Sequence, residues 1–204
     1  MVDPLLRLND FQLSVLKEIG NIGAGHAATS LSVLMQREID MNVPRVHVVS
    51  LQEIDEIMGG AEQVVVGVFL RMEGDISGSM FLVLKLESAE MLLKVLTGFE
   101  GNGFTEFEQS ALMEIGNILA GSYLSAFSDF TKANIHASVP AISIDMAGAL
   151  LNAVLMHVGM YSDTALVIDT EFWQGNELVD SHFFFLPDPG SVAAIFKALG
   201  VDFA

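Results

Sequence analysis

The sequence predicts an α+β fold in which two pseudo-symmetric helix/strand/hairpin/helix repeats share an antiparallel-rich sheet. Three observations carry that expectation. Glu18-Ile19-Gly20-Asn21-Ile22 with Ala24-Gly25 recurs as Glu114-Ile115-Gly116-Asn117-Ile118 with Ala120-Gly121, an offset of 96 positions, and Phe11, Ser14, Leu16, Val43 and Pro44 match Phe107, Ser110, Leu112, Val139 and Pro140 at the same offset. Each copy opens with the same type of helix-start box. Each also contains two alternating β-like runs joined by a glycine-bearing turn.

Taken in order, the elements follow from local chemistry. Asn9 stands three residues before Gln12, and Thr105 three before Glu108. In such a box the short side chain accepts from the N3 amide while the Gln or Glu reaches back to the cap, so helices are expected to begin near residues 10 and 106. A Val-Pro and a short β-like run follow in each copy, at 45–51 and 141–144, and then a helix. The second of these helices is expected to start Asp145-Met146-Ala147-Gly148-Ala149, with Asp145 as N-cap or first-turn acid. Alternating runs come next, 64–72 with 76–86 and 165–173 with 178–186, connected through Glu73-Gly74-Asp75 and Gln174-Gly175-Asn176. Each copy closes with a helix stopped by glycine, 89–97 before Gly98 and 192–199 before Gly200. The only linker is 100–103, too short to separate independent units, so residues 1–204 are expected to form one domain made of repeats at about 1–100 and 101–204.

Composition narrows the function classes. The hydrophobic fraction is 51% and the mean hydropathy +0.50, which raises the question of a membrane segment. The one candidate, 141–161, is interrupted by Asp145, Asn152 and His157 and reads instead as a strand followed by a buried helix. Met1-Val2-Asp3-Pro4 has neither a basic cluster nor an apolar run, so a cytoplasmic location is expected. Without cysteine there is no disulfide, thiolate ligand or thiol nucleophile. A net charge of −17 repels a phosphate backbone, which excludes nucleic acid as an expected partner.

Chemistry concentrates on one helical stripe. Ser14, Glu18, Asn21 and Gly25 are spaced i, i+4, i+7, i+11 and fall along one side of the first helix, and Ser110, Glu114, Asn117 and Gly121 repeat them. A carboxylate and an amide one turn apart can act on one target, and the terminal glycine would admit a partner's backbone. In one copy alone the stripe would read as a solvated face. A solvated face has no reason to keep Ser, Glu and Asn in both copies. A metal hydrolase built on His26, His47, His136, His157 and His182 finds no recognised ligand spacing, and no metal is expected. A phosphate loop at Gly20–Gly25 lacks both a preceding strand and a lysine.

These residues resemble the CheC/CheX/FliY family of bacterial chemotaxis phosphatases. The family motif is Asp or Ser, three residues, Glu, two residues, Asn, then 22 residues and Pro. It is complete here twice, as Ser14, Glu18, Asn21, Pro44 and as Ser110, Glu114, Asn117, Pro140. Two complete motifs are similar to the CheC branch. The resemblance implies hydrolysis of the aspartyl phosphate of a CheY-type receiver, which would supply its own Mg²⁺. It implies catalytic roles for Glu18, Asn21, Glu114 and Asn117 and supporting roles for Ser14, Pro44, Ser110 and Pro140. The asparagines would orient the attacking water, and the glutamates would pair with a receiver lysine. It also suggests, as an alternative, a module that docks and regulates the receptor deamidase CheD through the segment at Asp145.

Overall fold

A computed structural model describes residues 4–98, 103–158, 163–174 and 177–198. Both helix-start boxes are formed. Asn9 Oδ1 accepts from Gln12 N at 2.9 Å while Gln12 Oε1 accepts from Asn9 N at 2.8 Å, opening α1 (Asp10–Met35). Thr105 and Glu108 make the same exchange at the head of α4 (Glu106–Thr131). Its hydrogen bonds to the Thr105 hydroxyl and backbone hold the Glu108 carboxyl below its ordinary pKa. Each of these helices is 26 residues long.

The strands are β1 (Asp40–Ser50), β2 (Val64–Gly74), β3 (Gly78–Lys85), β4 (Ile135–Ala137), β5 (Ala141–Met146), β6 (Thr164–Gln174) and β7 (Glu177–Pro187). They form one antiparallel sheet in the order β1-β6-β7-β3-β2, with β4 and β5 both pairing β2. Exchanging β1 with β5, β6 with β2 and β7 with β3 leaves this order unchanged, so a pseudo-two-fold passes between β7 and β3. The first strand of each copy pairs with the second strand of the other. The copies are therefore interleaved as well as joined.

The remaining helices are α2 (Ile54–Ile57), α3 (Leu86–Thr97), α5 (Ala147–Val158) and α6 (Pro189–Ala198). Gly98, at φ +73°, caps α3 by donating to Lys94 O, whereas the expected stop at Gly200 lies outside the described residues. The 100–103 linker is described only at Gly103, and the turn residues Gly175 and Asn176 also lie outside. Among the described residues no helix is long and apolar enough to cross a membrane, and 141–158 forms β5 and α5.

Three expectations need correction. The first strand begins at Asp40, ahead of the expected 45, because Asp40 to Asn42 pair with the end of β6 before a bulge between Asn42 and Arg45. Pro44 sits in that bulge, where its missing N–H breaks no ladder bond. The helix after β1 is a single turn, stopped by Gly59 and Gly60 at φ +99° and +107°. Asp145 is not a helix cap: it lies in β5 opposite Val65, its carboxylate accepting from Met146 N at 2.7 Å, and α5 starts only at Ala147.

One sheet face carries α1, α3 and α4 over a core of Val66, Val68, Leu70, Leu82, Leu84, Phe183 and their neighbours. The other face carries α2 and α5 over Val65, Phe81, Val83, Val167 and Phe184. Residues adjacent in a strand divide between these faces, as the pleat requires. Beneath α1 and α4, burial pushes the Tyr123 phenol up to about 12, while its hydroxyl lies 2.9 Å from Thr170 Oγ1.

Candidate functional site

The helices α1 and α4 pack against each other at Gly23, where a Cβ would fall 2.5 Å from Tyr123 Cδ1 and 2.9 Å from Tyr123 Cα. Their inner sides are closed by Leu16, Ile19, Ala24 and Ala27 and by Leu112, Ile115, Leu119 and Ala120, all buried. The motif residues are left on the outside. Glu18, Glu114 and Asn117 are exposed and Asn21 is half-buried. Ser14 and Ser110 donate to Asp10 O and Glu106 O, both at 2.8 Å, so each serine is tied to its own helix. Added Cβ atoms on Gly25 and Gly121 would meet nothing within 4 Å, so internal packing does not demand glycine at either position.

Within each pair, the carboxylate and the amide lie about 4.5 Å apart along the axis, at 1.5 Å rise per residue. Among the described residues neither Glu18 nor Glu114 has a hydrogen-bond or ion-pair partner, which leaves both anions available to a cation from outside. The two amides differ. Asn21 Oδ1 accepts from Val43 N at 3.0 Å, and Lys17 Nζ donates to Pro44 O at 2.6 Å, so β1 is fastened to α1 beside the first pair. Asn117 makes no such bond among the described residues, and Met113 stands where the first copy has Lys17. The corresponding segment bends away: Ser138 exchanges bonds with Arg71, Arg71 N donating to Ser138 Oγ at 2.9 Å and Ser138 N to Arg71 O at 2.8 Å, and Val139 is 89% exposed.

Two polar groupings have no counterpart in the sequence reading. Arg71, Ser77, Asp188 and Ser191 tie the β2–β3 turn to the start of α6, with Ser77 Oγ 2.7 Å from Asp188 Oδ2 and Arg71 paired to the same oxygen. On the sheet face away from α1, Asp169 lies between His182 Nδ1 at 2.9 Å and His47 Nδ1 at 3.7 Å. Burial pushes the Asp169 carboxyl up, but the His182 hydrogen bond and the charges of His182, His47 and Arg45 outweigh it and leave it below its ordinary value. Burial pushes the His47 imidazole down, against the pull of Asp169. Register alone could have signalled this cluster, because Arg45, Asp169 and His182 face one another across the ladder only once β1 is known to pair β6. Among the described residues no group of three His, Asp or Glu side chains is arranged to hold a metal ion.

Comparison with known proteins places this geometry. The CheC-like family model matches residues 11–48 and 107–144, the two helix-plus-strand segments that carry the motifs. The chain is 41% identical over 202 residues to the CheY-P phosphatase CheC of Bacillus subtilis, covering 96% of this chain and 97% of that protein. It is 27% identical over 141 residues to the flagellar motor switch phosphatase FliY of the same organism, covering 67% of this chain and 36% of that one. Among solved structures, Thermotoga maritima FliY superposes with a TM-score of 0.75 at 21% identity, covering 95% of this chain and 98% of that one. CheX from Desulfovibrio desulfuricans superposes with a TM-score of 0.54 at 14% identity, covering 84% and 99%. The interleaved α+β fold is shared with these structures, and the chain belongs to the CheC-like family.

Proposed function

We propose that this chain is a chemotaxis phosphatase that hydrolyses the aspartyl phosphate of a CheY-type response regulator, with one Glu/Asn pair on each of α1 and α4. The observation that carries the reading is the doubled, outward-facing pair on a chain 41% identical to a CheY-P phosphatase. Water attacks phosphorus in line, the bond to the aspartyl oxygen breaks, and phosphate leaves with a free carboxylate behind. That reaction needs a positioned water and charge stabilisation more than a covalent step by the enzyme. Asn21 and Asn117 supply an amide that holds the water. Glu18 and Glu114, as anions, are poor neighbours for phosphate and good ones for the receiver's active-site lysine, so they fix docking. Mg²⁺ comes with the receiver.

The test follows decay of a phosphorylated receiver with and without the protein. Acceleration that disappears when all four residues become alanine, in a variant that still folds, supports the reading. Full activity in that folded variant would reject it.

A second reading adds docking of a CheD-type deamidase at Asp145. Asp145 is exposed on β5, and two residues before it in the same strand Ser143 joins Phe69, Phe81, Leu150 and Val154 in lining an apolar groove of about 320 Å³. Asp145→Lys should weaken deamidase binding at least tenfold in a titration while leaving receiver dephosphorylation intact. Unchanged affinity would remove this role.

A further inference from the structure

Two large apolar side chains at equivalent positions stand outside the packed core. Phe11 and Phe107, the second residues of α1 and α4, are 72% and 71% exposed and belong to no core cluster. A single exposed phenylalanine is ordinary. The same residue, equally exposed, at the same distance from the same Glu/Asn pair in both copies is not, since aromatic surface is among the costliest to leave in water. Helical geometry puts Phe11 and Glu18 within about 20° of one line, about 10 Å apart along the axis, with Asn21 about 15 Å from Phe11. Ile22, 45% exposed, continues that line, and Phe107 stands in the same relation to Glu114 and Asn117.

We propose that Phe11 and Phe107 are the apolar anchors of the two docking surfaces, each entering an apolar recess on the phosphorylated receiver about 10 Å from the cation that meets the glutamate. This rests on the phosphatase reading. An aromatic anchor flanked by a charge contact is the usual composition of an interface centre and rim. The occupant is the receiver rather than a second copy of this chain. The rim beside each phenylalanine is acidic, Asp10 and Glu18 or Glu106 and Glu114, and copies carrying a net charge of −17 repel one another there.

The experiment is steady-state dephosphorylation of a CheY-type receiver phosphorylated with acetyl phosphate, comparing wild type with Phe11→Ser/Phe107→Ser and Phe11→Leu/Phe107→Leu. The serine variant should raise KM about tenfold and keep kcat within about twofold, and the leucine variant should recover most of the loss. Its melting temperature should match wild type, because neither ring is packed. An unchanged KM, or a fall in kcat alone, would overturn the proposal. So would a wild-type dimer that becomes monomeric in the serine variant with receiver affinity intact. If the wild type fails to accelerate hydrolysis, the phosphatase reading falls by itself. Affinity for the beryllofluoride-activated receiver then decides the anchors: a tenfold loss in the serine variant keeps them, and equal affinity removes them.

Discussion

Asn21 and Asn117 occupy matching positions on matching helices, yet among the described residues only Asn21 is held by a backbone N–H. The difference arises in the strand opposite. In the first copy β1 runs on through Val43 and the Pro44 bulge along β6, which keeps Val43 N over the helix and lets Lys17 fasten Pro44 O. In the second copy the equivalent stretch divides into β4 and β5, both on β2, and Ser138 draws the intervening backbone onto Arg71. The repeat has kept the stripe that faces outward and let the supporting strand diverge. One amide is restrained, and the other is free to reach a partner.

The largest expected effect tests that contrast. A hydrogen bond of the Asn21–Val43 kind is worth about 0.5–1.5 kcal/mol, so an amide that must surrender or share it is handicapped by up to about tenfold in rate. Glu114→Ala with Asn117→Ala should therefore lose most of the activity, up to about tenfold, whereas Glu18→Ala with Asn21→Ala should then lose only about a tenth of it. The quadruple variant should fall to the receiver's own rate. Single substitutions should separate roles: Asn→Ala lowers kcat, and Glu→Ala mainly raises KM. If the first-copy double variant were the more damaged, the Val43 bond would be preorganising Asn21 rather than restraining it.

Much of this was legible in the sequence, and the parts that were not share a cause. The helix starts at Asn9 and Thr105, the four hairpin strands and the buried sides of α1 and α4 follow from capping chemistry and periodicity, which are local. Which strand lies beside which is not local. The sequence matched Val43 with Val139 and Pro44 with Pro140, and nothing in those identities shows that one segment stays in the ladder while the other leaves it. Met113 for Lys17 is one readable sign of divergence, beside Leu119 for Gly23 and Ser122 for His26. An Asp just before Met-Ala-Gly-Ala has the local chemistry of a helix start, but strand pairing with Val65 overrides it and keeps Asp145 in β5.

Glycines at equivalent positions sharpen the comparison by smaller amounts. Gly20 and Gly116 correspond, but a Cβ on Gly20 meets Val43 methyls at 3.5 Å, an ordinary contact, while on Gly116 it meets Val68 Cγ1 at 2.6 Å and Cβ at 3.1 Å. Gly116→Ala and Gly23→Ala should each cost about 1–3 kcal/mol by overpacking. Gly25→Ala and Gly121→Ala meet open space within helices and should gain about 0.5–1 kcal/mol. Urea denaturation checks all four. Equal destabilisation by Gly20→Ala and Gly116→Ala would show that β1 and β2 press on their helices alike.

The smallest expected effect concerns the other sheet face. The register His47↔Val167 in one half and Ser143↔Gly67 in the other puts Asp169 at the position of Phe69, and across the hairpins Asp169 faces His182 where Phe69 faces Phe81. The chain covers the apolar version with the 12 residues of α5, whereas Asp169 and His182 of the ionisable version line an open recess edged by Met58, just beyond the 4 residues of α2. That matching is what a sheet surface requires, because uncovered apolar area and covered unpaired charge are both costly. It has a pH signature. Burial lowers the His47 pKa, so the folded state prefers the neutral ring, and the associated stability is complete above the unfolded value of about 6.5 and lost as pH falls through the folded value. Asp169, also lowered, adds stability that is present above its unfolded value of about 3.9 and lost as pH falls through the lower folded one. Both slopes have one sign. Relief of repulsion among the chain's excess acids opposes them on acidification, so the informative quantity is a difference between variants. His47→Ser, which installs the side chain found at the equivalent position 143, should lose less stability than wild type between pH 7.5 and 5.5. The two should differ little above pH 7 in this slope, since the ring is neutral there in both folded and unfolded chains. Parallel stability curves for the two proteins across that range would show that folding does not push the His47 ring toward its neutral form.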